Sequence, residues 1–484
     1  MRFNRRSQGS AKAVAINLRI CGLAGVVLLA GCSFAPPFHR PPLPVPQQFA
    51  GLSSDSGSVA AVGWQTFFRE PQLQTLIADA LANNRDIRIA TGRVAEARAT
   101  WQIQGAPLYP QLDAVATGTR GRSIINLPEI GVQRLDQKQV VAQLSAGWEI
   151  DFWGRLRNLR DAAREEYLAS EEARRAVAID LVSQVATGYL QAREYEERAA
   201  LARRTIETRQ EALRIARRRY EVGSDSKLEV TQAQTLLGQA ETALHALEQD
   251  RGVNLNALEM LVGRPVTIEP DSSAEAWQQT AIPIGLPSDL LVNRPDIVAA
   301  EHRLRAANAN IGAARAAFLP NINLTGNYGT ASSELKGLFG SGSEAWSFTP
   351  TITMPLFHGG ELAANLDVAQ ARHSIAVAEY EKAIQTAFRD VSDALVRRQQ
   401  IGLQIETTVA MVDALSERAR LAQLRFENGH SAYLEVLDAQ RDLFDTQQTL
   451  IELRRAELGS VVALYAALGG GFSPNQTDPE EPAR

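Results

Sequence analysis

Two stretches of this chain repeat each other at a distance that leaves little freedom for the fold. Arg219-Tyr220-Glu221-Val222-Gly223 is followed by Leu228-Glu229-Val230 and Gln234. Arg425-Phe426-Glu427-Asn428-Gly429, shifted by 206 positions, is followed by Leu434-Glu435-Val436 and Gln440. Each stretch closes a long helical pattern and opens another, with a Gly where a helix ends on a left-handed residue. Both are therefore tips of helical hairpins. Before them, Leu181, Val185, Ala192, Tyr195 and Ala199 keep a three-four spacing, as do Val409, Val412, Leu415, Ala419 and Ala422 in the second copy. An Ala-rich seam of that period brings helices close together. The first long helix should run from about Arg155 to Arg219, which at about 1.5 Å per residue is roughly 100 Å. The returning helix, about Lys227 to Leu261, is near half that length.

The duplication extends upstream. A helix from about Arg85 to Gln104 has its counterpart after Asn293-Arg294-Pro295-Asp296-Ile297, now at a shift of 210 that pairs Asp86 with Asp296 and Pro110 with Pro320. The repeated unit is thus a whole architecture and not a turn alone. After each of those prolines the period falls to two. Asn321, Asn323, Thr325 and Asn327 alternate with Ile322, Leu324, Gly326 and Tyr328, and Gln143, Ser145 and Glu149 alternate with Leu144, Trp148 and Ile150. Strands apolar on one face and polar on the other suit a membrane β-barrel around a wet lumen; an ordinary half-buried sheet gives the same alternation. Pro350 counts against an undistorted fourth strand.

The first residues read as an export signal. Arg2, Arg5, Arg6 and Lys12 precede an apolar run that ends in Leu29-Ala30-Gly31-Cys32, the order of a signal peptide. Cys directly after the small pair resembles a bacterial lipobox, which implies diacylation of Cys32; an incidental Cys after an ordinary signal is the alternative. Ser33 at the next position favours outer-membrane sorting by the same resemblance. Residues 33–70, with Pro36, Pro37, Pro41, Pro42, Pro44 and Pro46, should form an extended strap without helix.

Chemistry-bearing spacings are missing. The sequence has no His-Glu-x-x-His, no phosphate-binding Gly loop with Lys, and Gly340-Ser341-Gly342 lacks the setting of a nucleophile elbow. The six histidines are scattered, and His302 and His373 sit in helical patterns. No catalytic residues, metal ligands or cofactors are expected beyond acyl chains on Cys32, so the chain does not read as an enzyme. A net charge of −5, more negative still once the basic signal is removed, argues against nucleic acid. What remains is the second tip, where Leu434, Glu435, Asp438 and Arg441 share a helix face. Around a symmetry axis they would make an acidic, apolar constriction; alone they read equally as a solvated helix start.

Lipobox, strap, two copies of helix–strand–strand–long helix–tip–helix, and the final Leu468-Gly469-Gly470 together resemble the TolC-like outer-membrane efflux factors of the NodT lipoprotein branch. The resemblance covers about Trp64 to Gly471. It implies a mostly α fold with a membrane β-barrel: a homotrimer giving four strands per chain to a twelve-stranded barrel that continues into a periplasmic coiled-coil barrel. Elementary physics agrees, because four strands alone leave two bare edges in lipid and eight-stranded barrels are filled by side chains. By resemblance, Leu434, Glu435, Asp438 and Arg441 are gate positions. Arg219, Tyr220, Val222, Gly223, Arg425, Phe426 and Gly429 face a periplasmic adaptor, which joins the channel to an inner-membrane RND pump. Glu435 departs from the Asp found there in some relatives. The implied role is passive outer-membrane conduction of drugs or other small toxic compounds. A type I protein-secretion channel shares the fold, and a structural coiled-coil lipoprotein shares the helices only.

The expected boundaries are a signal peptide over 1–31, a lipidated N-terminus and strap over 32–70 and a first repeat over 71–279. That repeat holds strands 110–121 and 140–153 and a hairpin over 155–262. The second repeat spans 280–471, with strands 320–330 and 345–357 and a hairpin over 360–468, and a disordered tail follows over 472–484.

Overall fold

The computed structural model describes residues 33–46, 63–127, 131–224, 226–268 and 290–471. Cys32, most of the stretch over 263–287 that joins the two repeats, and the tail lie outside them. The elements in order are α1 (Trp64–Phe67), α2 (Pro71–Asn83), α3 (Arg85–Gly105), β1 (Gln111–Leu127), β2 (Gly131–Ile150), α4 (Arg155–Glu221) and α5 (Lys227–Val262). They are followed by α6 (Leu290–Asn293), α7 (Pro295–Ala316), β3 (Asn321–Ser332), β4 (Glu344–Thr353), α8 (Glu361–Glu427) and α9 (Tyr433–Ala467). The chain groups into two compact units: residues 1–41, 94–170 and 300–380, and residues 42–93, 171–299 and 381–484.

The first unit holds one antiparallel sheet in the order β1-β2-β3-β4. Its helix-linked ends lie together, and both hairpin turns lie at the other end. Cross-strand registers put Asp113, Ser145, Asn327 and Ser347 in one row and Ala114, Leu144, Tyr328 and Trp346 in the next. The polar face is knitted by Gln143 donating to Asn327 at 3.2 Å and Asn327 donating to Ser347 at 3.1 Å. The other face leaves Trp346, Phe348 and Ile352 exposed.

Several boundaries move from the sequence reading. The β1–β2 hairpin is longer than 110–121 and 140–153 suggested, but β2 stops at Ile150. The reason is Asp151: its carboxylate accepts from the Leu156 and Arg157 amides at 3.0 and 2.9 Å and so caps α4 instead of extending the ladder. β3 runs two residues further than 330, to Ser332, and β4 ends at Thr353, before Pro355 can interrupt it. Pro350 does not break β4, since the ladder passes through Leu324↔Pro350; β4 is an edge strand, where a missing amide is tolerated. The strap region is not wholly free of helix either, for Gly63 leads into the four residues of α1, beyond the last proline of the strap.

Strap residues 33–40 dock within this unit. Ser33 donates to Asn158 at 3.0 Å, Asn308 donates to the Pro36 carbonyl at 2.8 Å, and the Arg305 guanidinium lies 5.0 Å from the Phe38 ring centre. The clamp is Arg40, whose Nη2 donates to both oxygens of Glu301 at 2.9 and 2.7 Å, while Arg305 donates to the same carboxylate at 2.6 Å. Burial alone would raise the Glu301 pKa, but the hydrogen bonds and charges of Arg40 and Arg305 outweigh it and hold the group below its usual range. A depressed carboxylate stabilises the docked state above its unfolded pKa of about 4.3. That contribution is lost as pH falls through the lower, folded value. The strap is therefore expected to resist limited proteolysis at neutral pH and become cleavable in that acidic window. Glu301→Gln should make it cleavable at neutral pH; equal protection of variant and wild type would refute the clamp.

In the second unit the two repeats mirror each other at their helix ends. Asn84 caps α3 by accepting from the Asp86 and Ile87 amides, and its Nδ2 donates to the Leu261 carbonyl near the end of α5 at 2.9 Å. At the equivalent place Arg294 donates to the Ala467 carbonyl near the end of α9 at 3.1 Å. Arg294 also pairs with Asp296 at 2.7 Å and Asp390 at 3.3 Å, with 11% of its side chain exposed. Removing one member of a buried ion pair strands the other. Because both acids keep some solvent, Arg294→Ala is expected to cost about 2–3 kcal/mol, read as a lowered unfolding midpoint.

Candidate functional site

Each hairpin tip follows from the same local chemistry. α4 and α8 end in αL residues Gly223 and Gly429, at φ of 75° and 73°, a conformation that favours Gly. The Gly223 and Ser224 amides donate to the Tyr220 and Arg219 carbonyls at 3.0 and 2.9 Å; those of Gly429 and His430 donate to Phe426 and Arg425 at 2.9 and 2.8 Å. The shift of 206 seen in the sequence is kept atom for atom.

The two tips pack on each other. Leu213, Ala216, Ala233 and Leu236 of the first hairpin share one apolar cluster with Ala422, Tyr433, Val436 and Leu437 of the second. The Arg219 guanidinium lies 4.8 Å from the Phe426 ring centre, a cation–π distance, and Phe426 meets Tyr433 at 4.8 Å. Burial pushes the Tyr433 hydroxyl pKa up. The positions expected to face an adaptor therefore divide: Tyr220 and Val222 are exposed at 47% and 67%, while Arg219 and Phe426 hold the tips together. Phe426 is partly buried against the cluster.

The four positions expected to form a gate lie together at the start of α9. Leu434 is 46% exposed although Val436 and Leu437 beside it are buried. Glu435 reaches Arg425 at 3.5 Å. Asp438 pairs with Arg441 at 3.2 Å, one helical turn away, and Arg441 also meets Asp442 at 3.0 Å. Besides Glu435–Arg425, α8 and α9 are tied by a pair not singled out in the sequence, Arg418–Asp442 at 2.7 Å. Arg418 and Arg441 hold the Asp442 carboxyl below its usual range. A signal for it existed in the repeat itself: at the shift of 206, Asp438, Arg441 and Asp442 replace Gln232, Thr235 and Leu236. Charge enters only the second copy.

Among the described residues no helix is long and apolar enough to cross a membrane, and no cluster of His, Cys, Asp and Glu could hold a metal ion. The family model for outer membrane efflux proteins matches residues 76–264 and 286–470, one segment per repeat. The chain belongs to the outer membrane efflux protein family. This efflux protein is 43% identical over 460 residues to the solvent efflux pump outer membrane protein SrpC of Pseudomonas putida, covering 93% of this chain and 98% of that one. It is 40% identical over 453 residues to the cation efflux system protein CusC of Escherichia coli K12, covering 92% and 97%. The open state of the Neisseria gonorrhoeae MtrE outer membrane channel matches it with a TM-score of 0.81 at 36% identity, over 92% of this chain and all of that one, 100%. The efflux protein therefore has the TolC-like fold of outer-membrane channels that its sequence implied, and its place is the outer membrane.

Proposed function

We propose that this efflux protein works as a homotrimer whose three sheets close one twelve-stranded barrel. On this reading it is the passive outer-membrane conduit of a tripartite system with a periplasmic adaptor and an inner-membrane RND pump. Its cargo is small toxic compounds, of the kind handled by the solvent and cation efflux relatives, and it performs no catalytic step. One observation carries the proposal: a four-stranded sheet with one polar and one apolar face whose β1 and β4 pair with no further strand among the described residues. Bare edges cannot face lipid, and closure by identical copies is the economical symmetric solution. Acyl chains on Cys32 anchor the N-terminus beside the docked strap, and Leu434, Glu435, Asp438 and Arg441 form the gate at the tips.

Light scattering of detergent-extracted protein, followed by planar-bilayer recording, tests the core of this reading. Trimer mass with cation-preferring channels is expected; a stable monomer overturns the shared barrel. Intact mass of the mature protein tests Cys32, and an unacylated N-terminus would remove the anchor from the proposal. Copurification with a protein-secretion ATPase instead of an RND pump would turn the assignment to a type I secretion channel.

A further inference from the structure

The apolar row of the sheet is broken before its hairpin end by a charged band, beyond which Ile124 and Val132 are apolar again. On β1 it runs Leu112, Ala114, Ala116, Gly118 and then becomes Arg120 and Arg122. On β2 the same face carries Leu144, Ala142 and Val140 and then Lys138, Asp136 and Arg134. From Leu112 to Arg120 is eight residues, which at about 3.4 Å each and a tilt of about 40° rises roughly 21 Å. The apolar band of an outer-membrane barrel is about 25 Å tall. The cations therefore begin where the hydrocarbon ends, at the side away from the periplasmic helices.

Their pairing is unusual. Arg122 faces Asp136 across the ladder and binds it through two hydrogen bonds at 2.6 and 3.2 Å. Arg120 faces Lys138 directly. Like charges opposed across a ladder repel, and neither makes a salt bridge among the described residues. A concavity of about 1130 Å³ opens beside them, lined by Arg120, Arg122 and Lys138 together with Asp136 and Glu334. On β1 and β2 the exposed face thus carries Arg120, Arg122, Arg134 and Lys138 against one carboxylate, Asp136. The other strand carboxylate on that face, Glu344, lies on β4 in the Ala116–Ala142–Thr330 row.

We propose that this patch binds the phosphorylated headgroup of an outer-leaflet glycolipid, with Arg120 and Lys138 sharing a phosphate. An anion between the two would convert their repulsion into attraction, while the acyl chains lie along the apolar row below. The proposal rests on the apolar row facing lipid. Its residues belong to the first unit and the proposed gate residues to the second, so conduction and lipid binding are read by separate measurements.

The test uses the full-length assembled channel in phosphatidylcholine nanodiscs doped with bisphosphorylated lipid A, with retained lipid counted by native mass spectrometry. Each surface cation contributes about a fivefold gain in affinity for anionic headgroups. Arg120→Gln with Lys138→Gln is therefore expected to weaken lipid A retention about thirtyfold while leaving single-channel conductance unchanged. Arg88→Gln, an exposed cation on α3, should retain lipid A like wild type. Charge-conserving Arg120→Lys with Lys138→Arg should also retain it, which keeps the idea testable if the neutral pair fails to assemble. Wild-type retention by the neutral variant, loss by the charge-conserving one, equal retention of dephosphorylated lipid A, or displacement by inorganic phosphate would each overturn the proposal, the last by showing a free-anion site.

Discussion

Leu434→Ala combined with Asp438→Ala is expected to raise single-channel conductance several-fold and to let bulky antibiotics leak into the periplasm. Leu434 leaves nearly half its surface bare on the isolated chain while the neighbouring Val436 and Leu437 are sealed in the tip cluster. In the proposed trimer its symmetry copies are the natural cover. Asp438 pairs with Arg441 on the same helix, so its loss leaves that guanidinium to Asp442 alone. Exposed ion pairs of this kind are individually weak, but threefold symmetry repeats each one. Loss of carboxylates from the ring should also lower cation preference. Glu417→Ala, which removes an exposed pair with Arg420 on the same helix, should change little. Wild-type conductance from the double variant, at matched amounts of assembled channel, would place the gate elsewhere.

Gly329→Val is expected to abolish assembled protein. A Cβ at this position of β3 would lie 2.2 Å from the Ala142 carbonyl oxygen and 2.5 Å from the Gln143 Cα. Both belong to the backbone of β2, so no side-chain rotation relieves the clash, and the cost exceeds about 3 kcal/mol. Three residues earlier on the same strand, Gly326→Ala is the control, because its nearest heavy atom would be 3.9 Å away. Heat-resistant trimer on a gel should vanish for the first variant and persist for the second.

Sequence reached the hairpins almost to the residue, because helix periods and αL glycines are local signals. It reached the middle of each strand for the same reason. It lost the outer half of the first hairpin, where Arg120, Arg122, Arg134 and Lys138 make both faces polar and remove the alternation on which the reading depended. It also counted Asp151 as strand because a side chain that alternates and a side chain that caps look alike until its amide partners are known. Arg40 with Glu301 was out of reach, and for Arg418 with Asp442 the repeat showed charge entering the second copy but not which groups meet. Each joins residues from different elements, and no spacing along the chain encodes such a meeting.

The open edges of the β1–β4 sheet also bear on how a population of chains behaves. If three copies must complete one another, a copy that folds its helices but spoils an edge is worse than an absent one, since it occupies a place. Equal co-expression of wild type with an edge-defective chain that still assembles would leave about one-eighth of the channels wholly wild type. A lesion in this gene confined to β1 or β4 would then be dominant, whereas one that prevents the chain from folding at all would be recessive.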